Sequence, residues 1–257
     1  MENVFFALTE EFNRHGRIAI LGSGQAVVWH RLAIMSKDGD WILRETPEAC
    51  ATVLDVLGRH GARYRPGAPL DVRWPPSGWR SHFEFWDEGG RRVRCDFFSR
   101  PPRVGAEALA ALFADENAPP VVDVETLIRM KQTQRAKDYA VIGELARRLE
   151  PDRELALTTD VDRILELAPG RSAAPRMAAA VASSGERQAV VRALAEEIDQ
   201  LQQQDRARLE QFERAAEPYL AAVRSLSRRE LALADGHSRV VELAERLLPE
   251  RPVEVLS

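Results

Sequence analysis

Asp38 and Asp40 are the residues of this sequence whose type and spacing are best suited to chemistry. On a strand, carboxylates at i and i+2 project from one face, which suits a divalent metal. They follow Gly22-Ser23-Gly24, a small-residue turn between the apolar run Ile18–Leu21 and a helical pattern. Such a turn lets backbone N–H groups face an anion. Anion cradle and metal clamp together suggest a nucleotide triphosphate site, while a plain Asp-Gly surface turn is the competing interpretation. A second metal would need one more carboxylate from a neighbouring strand, and Asp96 is the best-placed candidate. It sits mid-strand among aromatic residues, where an unpaired charge is expensive to bury; pairing with Arg94 or Arg73 is the simpler alternative.

Lys131, Arg135 and Asp138 form a second constellation, at spacings of four and three that share one face of a long helix. A lysine and an arginine one turn apart can hold a triphosphate while Asp138 orients the arginine, although a solvated charged face has the same pattern. His30 lies in a helical pattern, where packing or capping is the ordinary role. His82 and Glu84 alternate on one strand and could supplement the site or pair across strands. Trp74, Trp79 and Trp86, with Arg73 and Arg80, could stack on a base or pack a hairpin.

The elements that must position these groups can be read in order. Residues 3–14 predict an amphipathic helix, Ile18–Leu21 a buried strand, Gly24–Met35 a helix and Asp40–Leu43 a strand. Thr46-Pro47-Glu48 is a helix start, with an N-cap hydroxyl, proline at the first position and an acid at the positive dipole end. Short strands are expected at Ala62–Tyr64, Asp71–Trp74, Ser81–Trp86 and Arg91–Phe98, the last two joined by the turn Asp87-Glu88-Gly89-Gly90. Alternation puts Arg94, Asp96 and Phe98 on one face, with Val93, Cys95 and Phe97 on the other. A short helix at Ala106–Phe113 precedes a linker at Pro119-Pro120, and Asp123 then caps a helix expected to reach Glu150. Only helical patterns follow, interrupted at Pro169-Gly170, Ser183–Gly185, Pro218 and Asp235-Gly236. Within them, Glu186–Glu217 predicts a long, partly exposed helix or helical-hairpin arm.

The chain of 257 residues carries 36 basic and 40 acidic side chains, a formal net charge of −4 that gives no general pull toward nucleic acid. Two cysteines without repeated Cys or His spacing support neither a disulfide framework nor a zinc module. With no secretory leader pattern and no apolar run near the ~20 residues of a membrane helix, a soluble cytoplasmic protein with no membrane partner is expected.

Ser23-Gly24-Gln25-Ala26-Val27, His30, Ser36-Lys37-Asp38-Gly39-Asp40 and, much later, Lys131–Asp138 together resemble the DNA polymerase beta-like nucleotidyltransferase superfamily. The branch most similar is that of the abortive-infection (AbiEii-like) nucleotidyltransferase toxins and their small relatives. The resemblance covers about residues 17 to 150. It implies an α+β fold with a nucleotidyltransferase-like mixed sheet flanked by helices, placed on residues 1–118; the helical patterns that follow are read as an all-helical domain over 119–257. It further implies Asp38, Asp40 and Asp96 as catalytic metal ligands, with Asp96 polarising the attacking hydroxyl. Gly22, Ser23 and Gly24 would border the triphosphate, and Lys131 and Arg135 would contact its phosphates. Mg2+, or Mn2+ in its place, would be the cofactor and an NTP the substrate. The acceptor would be an RNA, protein or small-molecule hydroxyl, and a cognate antitoxin a partner. Two positions depart from the pattern: Ile34 replaces an arginine, and Gly39 replaces an apolar β-former. They motivate the alternative of a weakly active or inactive nucleotide-sensing or protein-interaction module.

Overall fold

The computed structural model describes residues 3–169, 187–227 and 229–252. The chain divides into two compact units, residues 1–122 with 210–257, and residues 123–209. In the first unit, Asn3 caps α1 (Val4–Phe12), which leads to β1 (Ala19–Leu21), α2 (Ser23–Trp29) and β2 (Asp38–Leu43). Thr46 caps α3 (Pro47–Arg59) through the Ala49 N–H, with Pro47 in the first turn as expected. Then come β3 (Arg63–Tyr64), β4 (Ser81–Trp86), β5 (Arg92–Phe98) and α4 (Ala106–Ala114). The five strands make one mixed sheet in the order β1-β2-β5-β4-β3, with β2 and β5 parallel and the other pairs antiparallel. The α+β expectation holds: a mixed sheet flanked by helices, followed by helical segments.

One face of the sheet is the core. Trp41 stacks on Phe97, its register partner, at 5.2 Å between centroids, and Phe12 of α1 meets Trp41 edge-on at 5.4 Å. The indole N–H donates to Thr9 Oγ1 at 2.9 Å, so the buried polar atom is satisfied. Phe83, Phe85, Val93 and Cys95 complete the layer beneath α1 and α3.

The second unit contains α5 (Val124–Lys131), α6 (Ala136–Ala146), α7 (Pro151–Leu157) and α8 (Val161–Leu167), plus the start of α9 (Arg187–Arg224). Leu155, Ile164, Leu167, Val190 and Leu194 form a core of its own. The chain ends with α10 (Leu233–Leu247).

Several expectations need correction. The helical half is not one domain beginning at 119. Residues 119–122 stay with the sheet, where Leu21 N–H donates to the Pro120 carbonyl at 2.8 Å and Val122 N–H to the Leu21 carbonyl at 2.9 Å. Residues from 210 onward belong with the sheet as well, because Tyr219, Val223, Val240 and Leu243 are buried in its core. The helix expected from Asp123 to Glu150 is instead α5 and α6, broken over Gln132–Arg135. Asp71–Trp74 is a turn rather than a strand, since the Asp71 carboxylate accepts from the Arg73 N–H and guanidinium.

The helix expected to reach Met35 stops at Trp29. Arg31 N–H bonds the Val28 carbonyl and Leu32 N–H the Val27 carbonyl, a Schellman stop with Arg31 at φ 58° where glycine is usual. Pro218 lies inside α9, where the burial of neighbouring Ala216 and Tyr219 outweighs its breaking tendency. Gly236 lies in the first turn of α10, where a Cβ would collide with the Glu230 carbonyl. The expected break at Ser183–Gly185 falls outside the described residues. Among the described residues, no helix is long and apolar enough to cross a membrane.

Candidate active site

The face of the sheet opposite the Trp41 core carries the charges. Strand alternation and register lay them out in two rows across β2, β5, β4 and β3. The first row runs Asp38, Arg94, Glu84, Arg63. Its signs alternate and its members pair: Arg94 Nη1 to Asp38 Oδ1 at 3.4 Å, and Arg63 Nη2 to Glu84 Oε1 at 2.6 Å. The second row runs Asp40, Asp96, His82, and it places two carboxylates side by side. Asp96 has its neighbours on one side: Arg65 Nη1 lies 3.2 Å from Oδ1, and His82 Nδ1 lies 2.9 Å from the same oxygen but off the line of a good hydrogen bond.

Asp40 has no such partner among the described residues; Arg80 and His82 act on it only through space. Burial, the neighbouring Asp96 charge and the Asp38 charge push its carboxyl from 3.8 up to about 6, against the opposing pull of Arg80 and His82. Two adjacent carboxylates, one of them without an ion-pair partner, repel each other and are a poor way to stabilise a sheet.

The Gly-Ser-Gly turn lies beside this row, because Gly22 N–H donates to the Asp40 carbonyl at 2.8 Å. Ser23 takes φ 47° at the start of α2, a left-handed conformation that costs energy outside glycine. A Cβ on Gly24 would overlap Ser36 Oγ, so the turn and the loop before Asp38 are in direct contact. Buried Gln25 ties that loop down, donating to the Ser36 carbonyl at 2.9 Å and accepting from Asn3 at 3.1 Å.

Gly39 has a packing reason. A Cβ there would collide with the Trp41 and Phe5 rings, which fill the space an apolar side chain would take on the core face. The departure at Gly39 is therefore a trade of one core group for another and leaves the carboxylate face untouched. Ile34 is 97% exposed, in the loop between α2 and β2.

Oxygen donors alone, in adjacent strands, suit Mg2+ or Mn2+ better than a soft metal. Among the described residues, no three His, Cys, Asp or Glu side chains stand close enough to hold a metal as they are. Asp38 leans to Arg94 and Asp96 to Arg65 and His82, so those two carboxylates would have to turn toward Asp40 before the three could share an ion.

No family model matches the chain, and no curated protein matches it either. Two solved structures are similar. One is a Helicobacter pylori protein provisionally described as a nucleotidyltransferase, at 11% identity and TM-score 0.42, over 79% of this chain and 94% of the other. The second is JHP933 from Helicobacter pylori, at 11% identity and TM-score 0.39, over 80% and 93%. At that level neither carries weight for function, which has to come from the side chains.

The remaining expected site residues have structural partners. His30 caps α2, its Nε2 standing 3.0 Å from the Val122 carbonyl. Trp74 and Trp79 are buried and offer no stacking platform, while Trp86 is exposed with Arg63 over its ring at 4.7 Å. Arg73, the alternative partner of Asp96, pairs with Asp71 and Glu245 instead. In the second unit, Lys131 and Arg135 sit either side of the break between α5 and α6, and both close on buried Asp138, at 3.3 and 3.0 Å. Arg65 escaped the sequence reading because β3 spans two residues and leaves no alternation to follow.

Proposed function

We propose that this chain is a metal-dependent nucleotidyltransferase that moves a nucleoside monophosphate from an NTP to an acceptor hydroxyl. The observation that carries the reading is the parallel pairing of Asp40 with Asp96, two residues along from Asp38's row and beside the Gly22–Gly24 turn. Asp38, Asp40 and Asp96 would hold Mg2+ or Mn2+, and the metal when bound supplies neutralisation of charge on the reacting phosphates. The N–H groups at Ser23 and Gly24 face the phosphate side of the nucleotide. The acceptor oxygen forms a bond to the α-phosphorus as the α–β bridging bond breaks and pyrophosphate leaves. Asp96, turned from Arg65 and His82 toward Asp40, would orient the acceptor hydroxyl and accept its proton. The acceptor is an RNA, protein or small molecule, and toxicity restrained by a cognate antitoxin is the biological setting that goes with the reading.

The test is label transfer from each α-labelled NTP, with Mg2+ or Mn2+, to RNA, protein and metabolite pools. Transfer by the native chain that disappears in Asp40→Asn and Asp96→Asn, with folding intact, supports the reading. Transfer that persists in both variants, or none with any nucleotide and pool, overturns it.

A further inference from the structure

A cleft of about 390 Å3 lies beside Asp38, where the parallel strands β2 and β5 begin. Four cations line it, Lys37, Arg91, Arg92 and Arg94, against two carboxylates, Asp38 and Asp87. Arg91 is tied to Asp87 at 2.7 Å, whereas Arg92 reaches only to 3.8 Å from Glu84, and Arg94 to 3.4 Å from Asp38. Exposed Lys37 enters no ion pair among the described residues. The wall includes buried Phe5 and Val93, and Met35 is 74% exposed at the cleft. Surplus positive charge over an apolar wall matches a phosphate ester, whose anion meets the cations while its organic part covers the wall.

We propose that this cleft binds a phosphate ester and serves as the acceptor's anion subsite. Its acceptor role rests on the transfer reading above, but the binding does not. Arg94 faces both Asp38 and the cleft, so a divalent cation that draws Asp38 away leaves Arg94 to the ligand. Cation and phosphate ester should therefore bind with positive coupling.

The experiment is fluorescence anisotropy of the full chain with a short labelled RNA bearing a terminal phosphate, competed by glucose 6-phosphate or by glucose. Lys37→Ala combined with Arg92→Ala, both at exposed side chains, should weaken RNA binding by about tenfold or more. Circular dichroism checks that the double variant is folded, and single charge reversals at the same positions provide a second set. Competition by the sugar phosphate as strong as by unlabelled RNA identifies a small phosphorylated acceptor; competition by RNA alone identifies a nucleic-acid end. Equal competition by glucose, binding unchanged in the folded variants, or no binding of any phosphate probe overturns the proposal. Cleft binding that obeys the variants while no label is ever transferred leaves the anion site standing and removes the transfer reading.

Discussion

Replacing Asp40 with asparagine should make the metal-free protein more stable at pH 8. In the folded chain the Asp40 carboxyl is raised from 3.8 to about 6, because burial and the charges of Asp96 and Asp38 oppose its ionisation. An acid with a raised folded value binds its proton more tightly in the folded state. Stability is therefore full below the unfolded value and declines as pH rises through the folded one. The difference corresponds to roughly 3 kcal/mol as an upper bound above pH 7, and relaxation of the partly exposed side chain brings the expected gain to about 1–2 kcal/mol. Asparagine keeps the shape, removes the charge and recovers that amount. The assay is urea unfolding in EDTA at pH 8 and pH 5. The variant's advantage should be largest at pH 8 and fall to about half at pH 5, where the native carboxyl is largely protonated. A variant that is less stable than the native chain at pH 8, or a gain that does not change with pH, would refute the electrostatic reasoning.

Gly39→Val should cost about 1–3 kcal/mol through collision with the Trp41 and Phe5 rings, and less in a Trp41→Leu background where only the Phe5 contact remains. Denaturation of the four-member cycle measures this, and an unchanged cost in both backgrounds would exclude the packing explanation. Arg31→Gly should stabilise by about 1 kcal/mol, since glycine takes the φ 58° of the Schellman position without a Cβ penalty. A loss of stability there would mean that the Arg31 side chain matters more than its backbone. Asp138→Asn should destabilise by about 2–4 kcal/mol by leaving buried Lys131 without its counter-charge. Adding Lys131→Met should recover much of that loss on urea unfolding; no recovery would assign the cost to the Thr133 hydrogen bond instead.

The two faces of the sheet were readable locally. Alternation in Val93–Phe98 separates the Asp96 face from the Cys95 and Phe97 face, and the cap before Pro47 fixes α3 from four residues. The alignment of Asp40 with Asp96 was not readable. It depends on β2 pairing in parallel with a strand that follows α3, β3 and β4, and no local pattern sets that register. The breaks were hard for a related reason. Gln132–Arg135 contains neither glycine nor proline, and the turn is held by the Gln134 N–H donating to Asp205, 71 residues on. Arg31 likewise ends α2 with a residue that carries no stop signal. Gly39 was unreadable for the same kind of reason: a poor strand former, it stands where the Trp41 and Phe5 rings fill the core face, and neither ring is signalled by the local pattern.

Asp40 and Asp96 are proposed to hold a divalent cation together. Titration of Mn2+ into the purified chain at pH 7.5, followed by electron paramagnetic resonance with and without an NTP analogue, addresses this directly. The native chain should bind Mn2+ more tightly with the nucleotide present, and both Asp40→Asn and Asp96→Asn should abolish that binding while remaining folded. Mn2+ affinity equal in the native chain and the two variants would contradict it.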